Sequence, residues 1–293
     1  MKSIDPKTLK VSALHGILLG AVAPRPIAFA STINKAGQIN LSPFSFFNVF
    51  SANPPILIFS PARRGRDNTT KHTLENVHEV AEVAINIVSY EMVQQMSLSS
   101  TEYPQEVNEF EKAGFSQEKS TLIQPPFVKE APVAFECKVN DVVALGSEGG
   151  AGNLVICEVV RIHLDEKILD GDGKIDPTLL DAVARMGGDW YCRANGDALF
   201  EVPKPLQRLG IGVDQIPEAL KNHPELSGND LGLLGNIEAL PDKEECLSVL
   251  ASLTVKNNGA VPSTEAMFNM GKDLLEQGEI RDAWCVLLST LEQ

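Results

Sequence analysis

Pro24-Arg25-Pro26-Ile27 opens the stretch that decides the fold, and it runs through Phe29-Ala30-Ser31-Thr32, Leu41-Ser42-Pro43-Phe44-Ser45-Phe46-Phe47-Asn48 and Asn53-Pro54-Pro55-Ile56-Leu57-Ile58-Phe59-Ser60. It closes, by Asn76, on Arg63-Arg64-Gly65-Arg66 and Lys71-His72-Thr73. Short apolar runs alternate with Pro, Asn and Gly, the pattern of strands parted by turns. Residues 21–26 are extended, because a residue before proline is pushed out of the α region. Residues 27–33 form a strand, and Asn34-Lys35-Ala36-Gly37 is its hairpin turn, with Asn and Gly supplying positive φ. The next strand covers residues 38–41. Pro43 interrupts its ladder, and the aromatic cluster behind it projects at a rim. Residues 56–60 are long enough only for a buried strand. Thr73 is the N-cap of a helix whose face is Leu74, Val77, His78 and Ala81. Apolar strands thus carry polar groups to the edge of a barrel, and an anion-binding loop follows.

Working outward, 293 residues suffice for one large domain and an appendage. A hydrophobic share of 43% and a charged share of 22% are those of an ordinary globular protein. No apolar run approaches the roughly 20 residues of a membrane helix. Residues 1–10 are polar and lack the apolar core of a secretory signal. The expectation is a cytoplasmic protein without a membrane span. The five cysteines are widely spaced with no Cys-x-x-Cys, which suits buried thiols in a reducing compartment rather than disulfides or a zinc site. A net charge of −14 disfavours nucleic acid as a partner. It makes the basic island of Arg63, Arg64, Arg66 and Lys71, broken only by Asp67, point to a small anionic ligand.

Residues 7–19 show no clean period and suit a lead-in. Residues 83–88 alternate as a strand, 90–99 are a short helix, and 101–124 are an acidic, turn-rich surface excursion. Residues 134–145 and 153–164 pair as a long hairpin about a Gly-rich turn. Asp170-Gly171-Asp172-Gly173 is a tight loop. Pro203-Lys204-Pro205 marks a boundary between a domain of residues 1–203 and a helical extension of residues 204–293. The extension holds helices at 213–221, 243–253, 263–276 and 279–291, the last with Ile280, Trp284, Leu287, Leu288 and Leu291 on one face. Its 7 Lys/Arg against 14 Asp/Glu carry half of the net charge.

Two groups of residues bear chemistry. Arg63, Arg64, Arg66 and Lys71 supply charge, Ser60, Thr69, Thr70 and Thr73 supply hydroxyls, and the helix start supplies free N–H groups. Together they suit a phosphate. A solvated loop capping a helix uses the same residues. Ser45, Phe46, Phe47 and Asn48 offer an aromatic wall with polar edges for a planar ring. Three phenylalanines also serve ordinary core packing.

In this order the pieces resemble the flavin reductase-like family, the FMN-binding split barrels, over about residues 15–203. The resemblance is carried by Pro24-Arg25-Pro26-Ile27, Ser31-Thr32, the run from Asn40 to Asn48, Asn53-Pro54-Pro55 and Lys71-x-Thr73-x-x-Asn76. Pro132-Val133-Ala134-Phe135-Glu136-Cys137 and Arg185-x-Gly187-Gly188-x-x-Tyr191 complete it. It implies a mainly β fold, an FMN-binding split β-barrel with flanking helices, to which the C-terminal α-helical extension is added. It also implies a homodimer with FMN near the subunit interface. Ser31, Thr32, Ser45, Phe46, Phe47 and Asn48 would line the flavin. Arg63, Lys71 and Thr73 would hold the phosphate, and Arg185 and Tyr191 would approach the site. His72 stands where the family has an acid, which makes the phosphate region more positive. The implied activity is hydride transfer from NADH or NADPH to flavin, with the redox chemistry supplied by the flavin and no catalytic protein acid, base or nucleophile. A flavoredoxin-like FMN electron carrier acting with a redox partner protein is the alternative, with the helical extension as its docking module. A non-redox ligand-binding split barrel is the third reading.

Other patterns lead nowhere. Gly210-Ile211-Gly212 lacks the third glycine of a dinucleotide fingerprint, where Gln215 stands. The Asp170 loop lacks a calcium-binding glutamate at its twelfth position, where Asp181 stands. The histidines have no metal-ligand spacing, and His163 reads as a surface or satisfied residue.

Overall fold

The computed structural model describes residues 1–205, 209–256 and 262–291. The chain divides into two compact units, Met1–Phe200 and Glu201–Gln293.

In the first unit β1 (Ala28–Ile33), β2 (Ile39–Phe44), β3 (Phe47–Ala52), β4 (Pro55–Phe59) and β5 (Glu82–Asn86) come early. Then follow β6 (Gln117–Glu118), β7 (Phe127–Val128), β8 (Val133–Ala144), β9 (Asn153–Leu164), β10 (Val183–Arg185) and β11 (Tyr191–Arg193). Its helices are α1 (Val11–Ala21), α2 (His72–Glu79), α3 (Val93–Leu98), α4 (Glu109–Ala113) and α5 (Pro177–Leu180). Seven strands build one antiparallel sheet in the order β2-β1-β5-β8-β9-β4-β3, and β6–β7 and β10–β11 are small separate hairpins.

The two edges of this sheet are β2 and β3, yet only Ser45 and Phe46 lie between them in the chain. Laid flat, seven strands at ~4.8 Å spacing would hold their edges roughly 29 Å apart. The three Cα steps from Phe44 to Phe47 reach at most about 11 Å. The sheet therefore curls back on itself into an open barrel. Ala28, Ala30, Phe59, Val83, Ile85, Cys137, Val155 and Cys157 fill its inside, together with Leu74 and Val77 from α2. On the outer face Phe29 and Leu41 pack with Met92, Met96, Phe110 and Val183. Burial pushes the Cys137 and Cys157 thiols well up, which makes them inert core residues.

The long β8–β9 hairpin runs from Val133↔Leu164 to Ala144↔Asn153, with two bulges. Several expectations are corrected. The strand expected at 38–41 continues through Pro43 as β2. Leu41 sends its N–H away from the sheet, to Glu109, and Pro43, two residues on, faces the same open side. The missing N–H of Pro43 therefore removes no ladder bond, as proline requires of an edge strand. The aromatic run behind it is not only a rim: Phe47 begins β3, which pairs with β4. Residues 83–85 do not alternate in burial, because β5 is covered on both faces. The lead-in is the helix α1, in which no residue is buried in the single chain. The excursion at 101–124 contains α4, which buries Glu109, Phe110 and Ala113. Asn108 caps α4 by accepting from Phe110 N at 3.0 Å. Thr73 is not the N-cap of α2. Lys71 holds that position, and Thr73 sits buried in the first turn.

The second unit holds α6 (Glu218–Lys221), α7 (Gly228–Gly235), α8 (Lys243–Lys256), α9 (Thr264–Glu276) and α10 (Ile280–Ser289). The expected helix at 213–221 is split: a 3-10 turn, Val213–Gln215, precedes Pro217, which caps α6. The helix α7, not expected from the sequence, opens on a capping box between Ser227 and Asp230. Ile216, Leu220, Leu234, Phe268, Leu275, Trp284 and Leu287 form the core. Trp284 is fully buried and donates its Nε1–H to Leu234 O at 2.9 Å.

Candidate functional site

A polar cleft lies where β2, the basic loop and the start of α2 meet. Asn40, Ser42, Arg64, Lys71, His72, Thr73, Ser100, Thr101, Glu102, Tyr103 and Glu109 line it. Its geometry is set from below by one chain of hydrogen bonds. The Thr73 hydroxyl donates to Asn40 Oδ1 at 2.6 Å, and Asn40 Nδ2 donates to Glu109 Oε1 at 2.9 Å. Burial raises the Glu109 carboxyl, and the Leu41 and Asn40 donors pull against that rise.

The cleft is rich in unspent donors. In α2 the intrahelical bonds begin with Leu74 N to Lys71 O, and Lys71 caps with no side-chain bond. The His72 and Thr73 N–H groups therefore find no acceptor among the described residues, as expected of a first turn. The nearest carboxylate oxygen to Lys71 Nζ is that of Glu102 at 3.9 Å, beyond hydrogen-bond range. Burial, then the neighbouring Arg64, pushes the Lys71 ammonium below its ordinary range. Arg64 gives Nη1 to Thr69 Oγ1 at 2.9 Å and to Thr70 O, and Nε to Glu102 at 3.1 Å. Cations and free N–H groups converging on one opening are the donor set of a phosphate-sized oxyanion.

The β8–β9 turn braces the loop from outside. Arg63 N donates to Ala151 O at 2.8 Å, and Gly150 N to Arg63 O at 2.9 Å. A Cβ on Gly149 would meet Arg64 O at 3.0 Å, and one on Gly152 would meet Ser60 Oγ at 2.7 Å.

A second cluster forms at the far end of β2. The buried Arg25 guanidinium donates to Leu19 O at 2.6 Å, Val22 O at 2.7 Å, Met186 O at 3.0 Å and Ser45 Oγ at 3.4 Å. Its backbone exchanges both hydrogen bonds with Arg185. The Arg185 guanidinium lies 4.6 Å from the centre of the Tyr191 ring. Arg25 thus ties the end of α1, the β2–β3 bend and the β10 hairpin into one unit. Ser42 and Ser45 are three residues apart, roughly 10 Å along extended chain.

The sequence-predicted residues do not gather at one place. Lys71 and Thr73 are in the cleft, although the Thr73 hydroxyl is spent on Asn40. Ser45, Arg185 and Tyr191 meet at the Arg25 cluster, with Phe46 partly exposed beside Ser45. Ser31, Thr32 and Ser60 are buried in the single chain; Thr32 Oγ1 accepts from Asn76 Nδ2 at 3.1 Å, while Ser31 Oγ and Ser60 Oγ have no hydrogen-bond partner among the described residues. Phe47 packs on the barrel core, and exposed Asn48 accepts from Val49 N at 2.8 Å. Arg63 turns away from the cleft and grips Asn68 twice, at 2.6 Å each, so Arg64 lines the wall. Sequence reading gave no role to Arg25, Asn40, Ser42, Glu102, Tyr103 or Glu109. Arg25, Asn40 and Ser42 stood inside quoted motifs, but nothing local connects Glu102 or Glu109 to residues some 30 or more positions earlier.

The sequence profile of the flavin reductase like domain matches residues 20–185. An uncharacterized protein of Aquifex aeolicus is 39% identical over 189 residues, which are 64% of this chain and 94% of that protein. The crystal structure of nitrilotriacetate monooxygenase component B from Bacillus cereus is similar, with a TM-score of 0.64 and 31% identity, over 69% of this chain and 98% of that one. That of the 2-nitrobenzoate 2-nitroreductase of Pseudomonas fluorescens has a TM-score of 0.61 at 27% identity, over 69% and 96%. A curled seven-strand sheet with flanking helices, a profile match over more than half the chain and these likenesses agree: the chain belongs to the flavin reductase-like family, and its β-rich unit is a split barrel.

Proposed function

We propose that the protein binds FMN and acts as a flavin reductase-type oxidoreductase that passes hydride from NADH or NADPH to flavin. The observation that carries this reading is the cleft donor set of Lys71, Arg64 and the His72 and Thr73 N–H groups, in a chain of this family. Those groups hold the phosphate. The Ser45–Phe46 bend, with Arg185 and Tyr191, faces the ring end, and Arg25 fixes that bend. Bound FMN supplies a two-electron redox centre, and the chain's residues bind, orient and shield it. The test is an absorbance spectrum of the protein loaded with FMN, followed by NADH or NADPH under anaerobic conditions. Bleaching with one nicotinamide is expected. Nicotinamide oxidation that stays at background with every acceptor would remove the enzyme reading.

The reading includes a homodimer. An apolar helix with no buried residue, α1, and the exposed Val49 and Phe50 of β3 support it, because apolar faces of this kind are covered in the working assembly. Light scattering is expected to give twice the chain mass. A cytoplasmic, reducing setting accords with the five free cysteines.

The second reading is an FMN electron carrier that serves a redox partner protein. It is favoured by the compact acidic unit Glu201–Gln293, which lies beyond the residues matched by the family profile. Removing residues 201–293 should then abolish partner-dependent electron transfer while leaving bound flavin reducible by dithionite.

A further inference from the structure

Glu102 lies outside the motifs that define the family likeness, on the irregular segment between α3 and α4, and its carboxylate reaches into the basic cleft. Oε1 is 3.1 Å from Arg64 Nε and 3.9 Å from Lys71 Nζ, and Oε2 accepts from Arg66 Nη2. One carboxylate therefore stands against three cations from the same loop. The other nearby acids are committed elsewhere. Asp67 accepts from Thr69 N at 3.0 Å and Thr69 Oγ1 at 2.7 Å and pairs with Arg66 at 3.0 Å. Glu75 accepts from Thr70, and Glu109 is held by Asn40 and Leu41. Of these four acids, Glu102 alone accepts hydrogen bonds only from arginines of the loop.

We infer that Glu102 is a resident counter-anion of the cleft: a phosphate monoester binds by displacing its carboxylate from Arg64 and Lys71, so that Glu102 sets the preference for FMN over the phosphate-free flavin and the ease with which FMN leaves. This rests on the FMN reading above. The physics is a competition between anions. A partly exposed carboxylate with a 38% accessible side chain gains little from its cations, because water and salt screen the pair. A phosphate monoester brings nearly two charges and three acceptor oxygens to the same place and reaches the free N–H groups of α2 as well. Exchange therefore favours the phosphate, but by less than if the cations stood bare. A flavin held this way leaves more readily than one held by bare cations.

The experiment compares full-length wild type, Glu102→Gln, Glu102→Ala and, as a control of equal charge change, Glu91→Gln. FMN and riboflavin are titrated by flavin fluorescence, and inorganic phosphate by its effect on Tm. Loss of the competitor should tighten FMN about tenfold in both Glu102 variants, which corresponds to a modest charge interaction. Riboflavin should stay within about twofold, and Glu91→Gln should resemble wild type. Inorganic phosphate should stabilise the Glu102 variants at lower concentrations than wild type. FMN and phosphate affinities that stay equal overturn the inference, and so do weaker ones, which would mean that Glu102 preorganises the cations. A gain for phosphate with no FMN binding by any variant leaves the counter-anion standing and refutes the FMN reading instead.

Discussion

Glu109 accepts the Asn40 side-chain amide at 2.9 Å with one oxygen and the Leu41 backbone N–H at 3.0 Å with the other. This single carboxylate blocks the open edge of β2 and aims Asn40 at Thr73, in the first turn of α2. An acid on a short helix therefore fixes the floor of a cleft built by other elements. Glu109→Ala leaves two buried donors unpaired. A loss of roughly 2–4 kcal/mol is expected in urea unfolding, because each orphaned group costs about 1–3 kcal/mol. Glu109→Gln keeps an acceptor and should lose less. The same order should hold for FMN affinity.

Lys71→Met removes the ammonium that lacks a close partner in the cleft. FMN should bind about 10–100-fold more weakly, the range for losing one charge-assisted contact, while riboflavin changes little. The pH dependence has a definite sign. Burial and Arg64 lower the Lys71 pKa, so its charge, and with it phosphate binding, fades at a pH below the usual lysine value. FMN titrations carried from neutral pH toward the ordinary lysine range should show this decline before that range is reached, and Lys71→Met should lack it.

Glu136 is fully buried on β8 and accepts from Thr121 N and Thr121 Oγ1 at 2.7 Å each, Leu122 N at 2.6 Å and His163 Nε2 at 2.7 Å. Burial alone would raise its carboxyl, but these donors override it and hold it at about 2, against an ordinary 4.5. The group thus adds stability that is complete above the ordinary value and is lost as pH falls toward about 2. Thermal unfolding in acid should show this loss in the wild type. Glu136→Gln should be less stable at neutral pH and flatter across the acid range.

Trp284 seals the helical unit. Trp284→Ala should cost about 3–5 kcal/mol there, the range for truncating a large buried aromatic, and should also orphan Leu234 O. Hydrogen exchange is the check. Protection should fall in α7, α9 and α10.

The parts of the fold that were legible are those in which neighbours in sequence are neighbours in space. The β1–β2 hairpin announces itself by Asn34 and Gly37, and the β8–β9 hairpin by its glycines. The helix α1 was not legible, because its apolar residues cover every side and no buried face imposes a period. Pro43 misled because a proline shows nothing of which strand is an edge. At the site, the basic loop was visible as a charge anomaly in an acidic chain. Which arginine turns inward was not: Arg63 and Arg64 are adjacent, and the choice is made by Asn68, Thr69 and Glu102. Glu109 reads as part of an acidic surface excursion, and Glu136 stands in a quoted motif with no role of its own, until distant donors close around both.

The glycine turn between β8 and β9 packs tightly on this region: a Cβ on Gly149 would crowd the Arg64 and Gly65 backbone of the basic loop at 3.0–3.3 Å, and one on Gly152 would clash with the Ser60 hydroxyl at 2.7 Å. The contour of the loop is thus moulded by a segment that is absent from the cleft lining. Drift in that turn would retune ligand affinity from behind while every lining residue stayed the same. Two homologues with identical clefts could then differ in how long they retain their flavin, and the cause would lie in residues 146–152.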